Sequence, residues 1–342
     1  MHDDQCGNGA GQSSPQSSGI CQYADYARFS GFVGIDWSGA KAQFTPGIQL
    51  AMVMPGASAP RTVTPPKHRL WSRHDIFDFL LTRARVAPAG APLLVGIDFA
   101  FAHPFADCNS YFPETAQAPN SAAGLWKLVD EVNKDMPHVY GGAMFRHPVW
   151  GAYYMAPPSF DAARYASRRR VTELAAKAAG RAPSPTFKAV GADNVCTGSM
   201  AGMRLLHNLR AALGHSLAIW PFDSVYASLD NLKMVLVEIF PSYYFYRVGL
   251  SPANGAAAYA PVLNKALAAY DSAGVDKDFV AKGRDADQAD AIIAAAALRY
   301  FAQQTTSEGK TLFDLPDLLG KIARREGWIF GVESKYAPST VL

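Results

Sequence analysis

Hydrophobic and polar positions change their spacing several times along this chain, and each change marks an element. Phe32 to Asp36 is an unbroken apolar run of strand length, Ile48 to Met54 is a second, and Arg61 to Thr64 is a short third after a turn rich in proline and glycine. Three strands set so close together predict a meander. From Arg73 to Val86 the spacing becomes helical, with Ile76, Phe77, Leu80 and Leu81 on one face, and Leu93 to Asp98 is again a strand. A strand, helix, strand order implies a crossover into parallel pairing.

Beyond Ala102 the pattern loosens. Helices are expected at Ala122 to Lys134, Asp161 to Ala179 and Met200 to Leu213, separated by proline-rich loops, so residues 105 to about 230 read as a long helical insertion. Regular order resumes with a strand from Met234 to Phe240, helices near Ala257 to Tyr270 and Ala286 to Gln303, and a last short strand at Trp328 to Val332. Residues 1 to about 29 are rich in Gly, Ser, Gln and Asn without hydrophobic spacing and are expected to be a disordered arm ahead of one α/β domain spanning residues 30 to 342. No internal repeat is visible.

Composition narrows the class. With 342 residues, 49% hydrophobic and 18% charged, the chain has enough apolar surface for a sizeable core without disulfide or metal staples. The longest comparable apolar stretch, Ala291 to Leu298, is too short to span a bilayer, so no membrane partner is expected. The start lacks a basic segment followed by an apolar one, which predicts a cytoplasmic protein. Cys6, Cys21, Cys108 and Cys196 show no C-x-x-C pair and read as ordinary thiols. A net charge of +3 is too mild to imply nucleic acid without local clustering.

The candidate chemistry lies in acids at element ends. Asp36 closes a strand in VGIDWSGAKA, Asp98 closes another in LLVGIDFAFAHPF, and Glu238 sits in MVLVEIFPS. Ligand sites of open α/β sheets lie outside strand ends, where these acids would converge. Asp36 and Asp98 also fit a simple turn-forming role. Glu238, between Val237 and Ile239, is costly to bury unpaired, and a satisfied buried ion pair is its alternative reading. In DADQADAIIAAAALRYFA, Asp285 and Gln288 form a capping box and Asp287 complements the helix dipole. Asp290 is expected beyond that first turn, on a face shared with Ala294 and Ala297. Like charges 4 Å apart repel by roughly 4 kcal/mol at an effective dielectric near 20, so four such acids need cations. An all-oxygen set favours Mg²⁺ or Mn²⁺.

The order GIDWSGAK, VGIDFAFAHPF, EIFPS, DxxDA with an alanine-rich helix, and EGWIFGVE resembles the family of predicted ribonuclease H-like nucleases, in the superfamily that includes Holliday junction resolvases. The resemblance spans about residues 32 to 333, apart from much of 105 to 230. It implies a ribonuclease H-like mixed sheet flanked by helices. It further implies a metal-dependent nuclease with Asp36 as the bridging ligand and Asp98, Glu238 and Asp290 as further ligands. Ala100 stands where that family often carries proline.

Nucleic acid as partner draws on one local cluster. Between Phe160 and His215 nine Lys and Arg face three acids, and Arg164, Arg168, Arg169 and Arg170 lie on the expected helix near Tyr165, where they would follow a phosphate backbone or form a solvated basic face. Lys41 lies close enough to Asp36 in sequence to contact phosphate. Two rival classes are a nucleotide-binding phosphotransferase or ATPase of the actin and sugar-kinase fold, and a non-catalytic binding protein that keeps the fold. The first lacks a second glycine-rich phosphate loop. A GKT at Gly309 to Thr311 is no P-loop, because Gln304 replaces the required glycine. Ser38 lacks a nucleophile elbow, and the scattered histidines, His103, His147, His207 and His215 among them, show no metal-ligand spacing.

Overall fold

Alternating apolar residues build the centre of the computed structural model, which describes residues 29–157, 162–191, 194–225, 230–283 and 286–341. In chain order the strands are β1 (Gly31–Asp36), β2 (Phe44–Thr45), β3 (Gln49–Val53), β4 (Arg61–Thr62), β5 (Trp71–Ser72), β6 (Leu93–Ile97), β7 (Leu217–Ile219) and β8 (Met234–Glu238). The helices are α1 (Arg73–Val86), α2 (Ala122–Val132), α3 (Val171–Ala178), α4 (Cys196–Leu213), α5 (Pro241–Arg247), α6 (Ala260–Ala268), α7 (Asp287–Ala302) and α8 (Asp317–Glu326). Six strands form one sheet in the order β4-β3-β1-β6-β8-β7, and β2 pairs with β5 apart from it. The meander β1, β3, β4 is antiparallel, whereas β1, β6, β8 and β7 run parallel. The expected architecture, a mixed sheet with helices on both faces, is therefore present.

Strand alternation divides the core in two. Phe32, Leu94, Val235 and Val237 pack with α5, α6 and α7 on one face; Val33, Ile35, Val95, Ile97 and Leu236 pack with α1, α2 and α4 on the other. Each such fully buried aliphatic or aromatic side chain contributes roughly 1.5–3 kcal/mol. The alanine face of α7 lets that helix lie unusually near β1. A methyl group at Gly34 would stand 2.3 Å from the Ala291 carbonyl and 2.7 Å from the Ala294 Cβ.

Local rules account for the best-matched element. Helix α1 has the predicted bounds because Ser72 and Asp75 form a reciprocal capping box, Ser72 Oγ accepting from the Asp75 N–H and Asp75 Oδ2 from the Ser72 N–H. Elsewhere the structure corrects the sequence. The helix expected from Asp161 begins only at Val171, with Arg170 as a buried cap. Trp328 to Val332 is no strand; a single bridge joins Ile329 to Glu238. Residues 217–219, expected within the insertion, return to the sheet as β7. Helices α5 and α8 were not anticipated. Of the expected arm, residues 1–28 lie outside the described residues, and Phe29 is buried against Phe32 and Phe313. Cys108 and Cys196 are free thiols, and Cys6 and Cys21 lie outside the described residues. Among the described residues no helix is long and apolar enough to cross a membrane.

Candidate functional site

Sheet register brings the first two acids together. Ile35 of β1 is paired with Ile97 of β6, so Asp36 and Asp98 are the next residues along two parallel neighbours, and the Asp98 N–H donates to the Ile35 carbonyl at 3.0 Å. Asp36 shares its strand face with Phe32 and Gly34, the face covered by α7. Its side chain is buried, with Oδ1 accepting from the Trp37 N–H at 3.1 Å. Burial raises the Asp36 carboxyl well above the usual carboxylate range, and the charges of Asp290, Asp98 and Asp287 raise it further. Asp98 is likewise raised, by burial first and then by Asp290 and Glu238.

Asp290 acts on both strand-end acids from the first turn of α7. Its first helical residue is Asp287, after Ala286 in a left-handed conformation, so Asp290 belongs to the first turn and not beyond it. The proposed capping residue Asp285 lies outside the described residues. Asp287, expected to serve only the helix dipole, acts on Asp36 as well. The signal was its spacing: residues three apart on a helix share a face.

Glu238 acts on Asp98 but lies on the other strand parity. Ile97 of β6 pairs with Glu238 of β8, so the residue in line with Asp98 is Ile239, and Glu238 belongs to the opposite strand parity. Its carboxylate is held bidentately by Arg170, at 2.7 Å from Nη1 and 2.6 Å from Nη2, and also accepts from the Phe101 N–H at 3.0 Å. This is the ion-pair alternative. Arg170 Nε also bonds Glu173 at 2.7 Å, and Glu326 accepts from the N–H groups of Phe105, Ala106 and Val171. Burial pushes the Glu173 carboxyl up to about 7 despite its arginine partner.

The other arginines are also engaged internally. Arg168 pairs with Asp107 and donates to the carbonyls of Pro104, Ser110 and Tyr111; Arg169 donates to the Pro183 carbonyl at 2.6 Å. Arg164 is exposed, bonding Thr115 and Tyr153. These residues precede α3, so they do not share the expected helical face. Lys41 is exposed on the loop after β1. That loop is braced by a residue the sequence reading missed: Arg73, fully buried, donates to the carbonyls of Ser38, Ala40 and Ala42 and to that of His138. Its signal was a basic residue in the first turn of α1, where the helix dipole disfavours one.

Among the described residues, no three His, Cys, Asp or Glu side chains stand ready to hold a metal ion. Compared with known families, curated proteins and solved structures, the chain matches none.

Proposed function

We propose that this chain is a metal-dependent nuclease of ribonuclease H-like architecture, using Asp36, Asp98 and Asp290 as ligands for Mg²⁺ or Mn²⁺, with Asp287 and not Glu238 as the fourth acid. One observation carries the reading: Asp36 and Asp98 are buried on neighbouring strand ends, and the charges of Asp290, Asp287 and Glu238 act with burial to raise one or both of their carboxyls. A buried cluster of like charges is relieved by protonation or by a cation. The donor set is all oxygen, which suits a hard divalent ion. Further support comes from position, since Asp36 ends the first strand of the main sheet, Asp98 follows its fourth, and Asp290 lies on a late helix.

Bound divalent cations would supply Lewis acidity and an activated water for phosphodiester hydrolysis. The chain's residues hold the site. Asp36 and Asp98 are set at the ends of neighbouring strands and Asp290 and Asp287 on the first turn of a closely packed helix, and these carboxylates would hold the ion. Trp37 anchors the end of β1, its indole N–H donating to the Gly198 carbonyl at 3.0 Å, and the Ser199 hydroxyl accepts from the Ala100 N–H beyond Asp98.

Titration calorimetry with Mg²⁺ and Mn²⁺, paired with cleavage of a DNA and RNA panel, tests this. Wild type should bind metal, whereas Asp36→Asn and Asp290→Asn should lose binding and lose cleavage by orders of magnitude. Absence of metal binding to wild type, or equal cleavage by Asp290→Asn, overturns the assignment.

A further inference from the structure

Beside the loop after β1 lies a cavity of about 380 Å³, within the ~300–1,000 Å³ range of small-molecule sites. Lys41, Arg146 and His147 line it together with Tyr140 and Phe145, and none of its described lining residues is an acid. Lys41 and Arg146 are both exposed and have no ion-pair partner among the described residues, unlike Arg168 and Arg170. His147 Nδ1 accepts from the N–H groups of Val149 and Trp150, which leaves the other ring nitrogen as a donor in the neutral imidazole. Among its described lining residues the cavity therefore offers cations, a ring N–H donor and two aromatic rings without a competing carboxylate.

Its walls are set in place before any ligand arrives. Buried Arg204 donates to the Tyr140 carbonyl at 2.8 Å, and buried Asn133 accepts from the Ala143 N–H at 2.8 Å. Gly39 and Gly141 lie against α4 so closely that a methyl group would meet Thr197 at 2.2 Å and Met200 at 2.3 Å. Arg73 spans the carbonyls after β1 and the carbonyl of His138, so Lys41 and the wall around Tyr140 are braced by one side chain.

We infer that this cavity binds one nucleotide of a single strand, its phosphate held by Lys41 and Arg146 and its base against Tyr140 and Phe145. Phosphate selects the cations, and a base has a flat face that aromatic side chains stack on whatever its identity. The inference rests on the nucleic-acid reading for its ligand class, not on the metal centre.

The test is calorimetry in EDTA on the full chain, so metal binding and cleavage play no part. The probes are a nucleoside 5′-monophosphate, a short single-stranded oligonucleotide, inorganic phosphate and an uncharged nucleoside. The oligonucleotide should bind at least as tightly as the monophosphate, with phosphate alone and nucleoside alone at least about tenfold weaker. Arg146→Gln and Lys41→Gln should each weaken nucleotide binding by about tenfold with an unchanged melting temperature. Four results overturn the inference: no saturable nucleotide binding, affinity unchanged in both variants, phosphate alone binding as tightly as nucleotide, or an oligonucleotide excluded where the monophosphate binds. Failure of metal binding in the separate titration leaves this result standing.

Discussion

Replacing Glu238 by Gln separates an ion pair from a metal ligand. In wild type both carboxylate oxygens only accept: Oε2 from Arg170 Nη1 at 2.7 Å and from the Phe101 N–H at 3.0 Å, and Oε1 from Arg170 Nη2 at 2.6 Å. A glutamine amide has one accepting oxygen. Whichever way it turns, its NH₂ group meets a donor, either Nη2 or the pair formed by Nη1 and the Phe101 N–H. Breaking a buried ion pair by removing one partner costs ~3–5 kcal/mol. Glu173 still binds Arg170 Nε at 2.7 Å and loses a repelling neighbour, so the lower end, about 3 kcal/mol, is expected. Urea unfolding near neutral pH measures it, once in EDTA and once in millimolar Mg²⁺. The same loss should appear in both. A loss below about 1 kcal/mol, or one present only with metal, would refute the ion-pair account.

Two further outcomes follow from buried groups and close packing. The raised Glu173 carboxyl means that the folded state holds a proton the unfolded chain has released, so its contribution is present below pH 4.5 and lost as pH rises toward about 7. The span corresponds to about 3 kcal/mol, which Glu173→Gln should remove from the stability profile. Buried His103, lowered by desolvation, titrates in the opposite sense below 6.5, so the difference between variant and wild-type unfolding profiles is the quantity to measure. An unchanged slope between those limits would count against the Glu173 account. Gly34→Ala should destabilise by about 3 kcal/mol, because the new methyl meets the Ala291 carbonyl at 2.3 Å and backbone cannot yield as a side chain does. A melting temperature equal to wild type would show that α7 lies farther from β1.

Much of this arrangement was legible in the sequence, and the exceptions have definite causes. Strands β1, β3 and β6 announce themselves because strands buried on both faces read as apolar runs. The nearness of Asp36 and Asp98 follows from two parallel neighbouring strands, one ending in an acid and the other followed by one. Glu238 carried two readings, metal ligand and buried ion pair; its pairing with Arg170 depends on strand register and on a residue 68 positions away, which no single sequence reveals. Arg168 to Arg170 looked like a helical basic face since arginine favours helices, yet carbonyls and buried carboxylates claimed these side chains in an extended segment. Helix α5, rich in aromatics, carried too little helical spacing over seven residues to be recognised.

The separation of Arg170 from the acids is what gives the charge cluster its consequence. An arginine beside Asp36 would lower its carboxyl and satisfy it permanently, as Arg170 satisfies Glu238. Instead the arginine lies on the parity of Glu238, while Asp36 and Asp98 face α7 and meet further acids from its first turn. Close helix packing is consistent with this, because Gly34 and the alanines of α7 set the distance between sheet and helix, and Asp290 precedes the very alanine whose carbonyl touches Gly34. The same packing that stabilises the fold therefore brings these acids together and raises the carboxyls of Asp36 and Asp98, and a bound divalent cation would favour their charged forms.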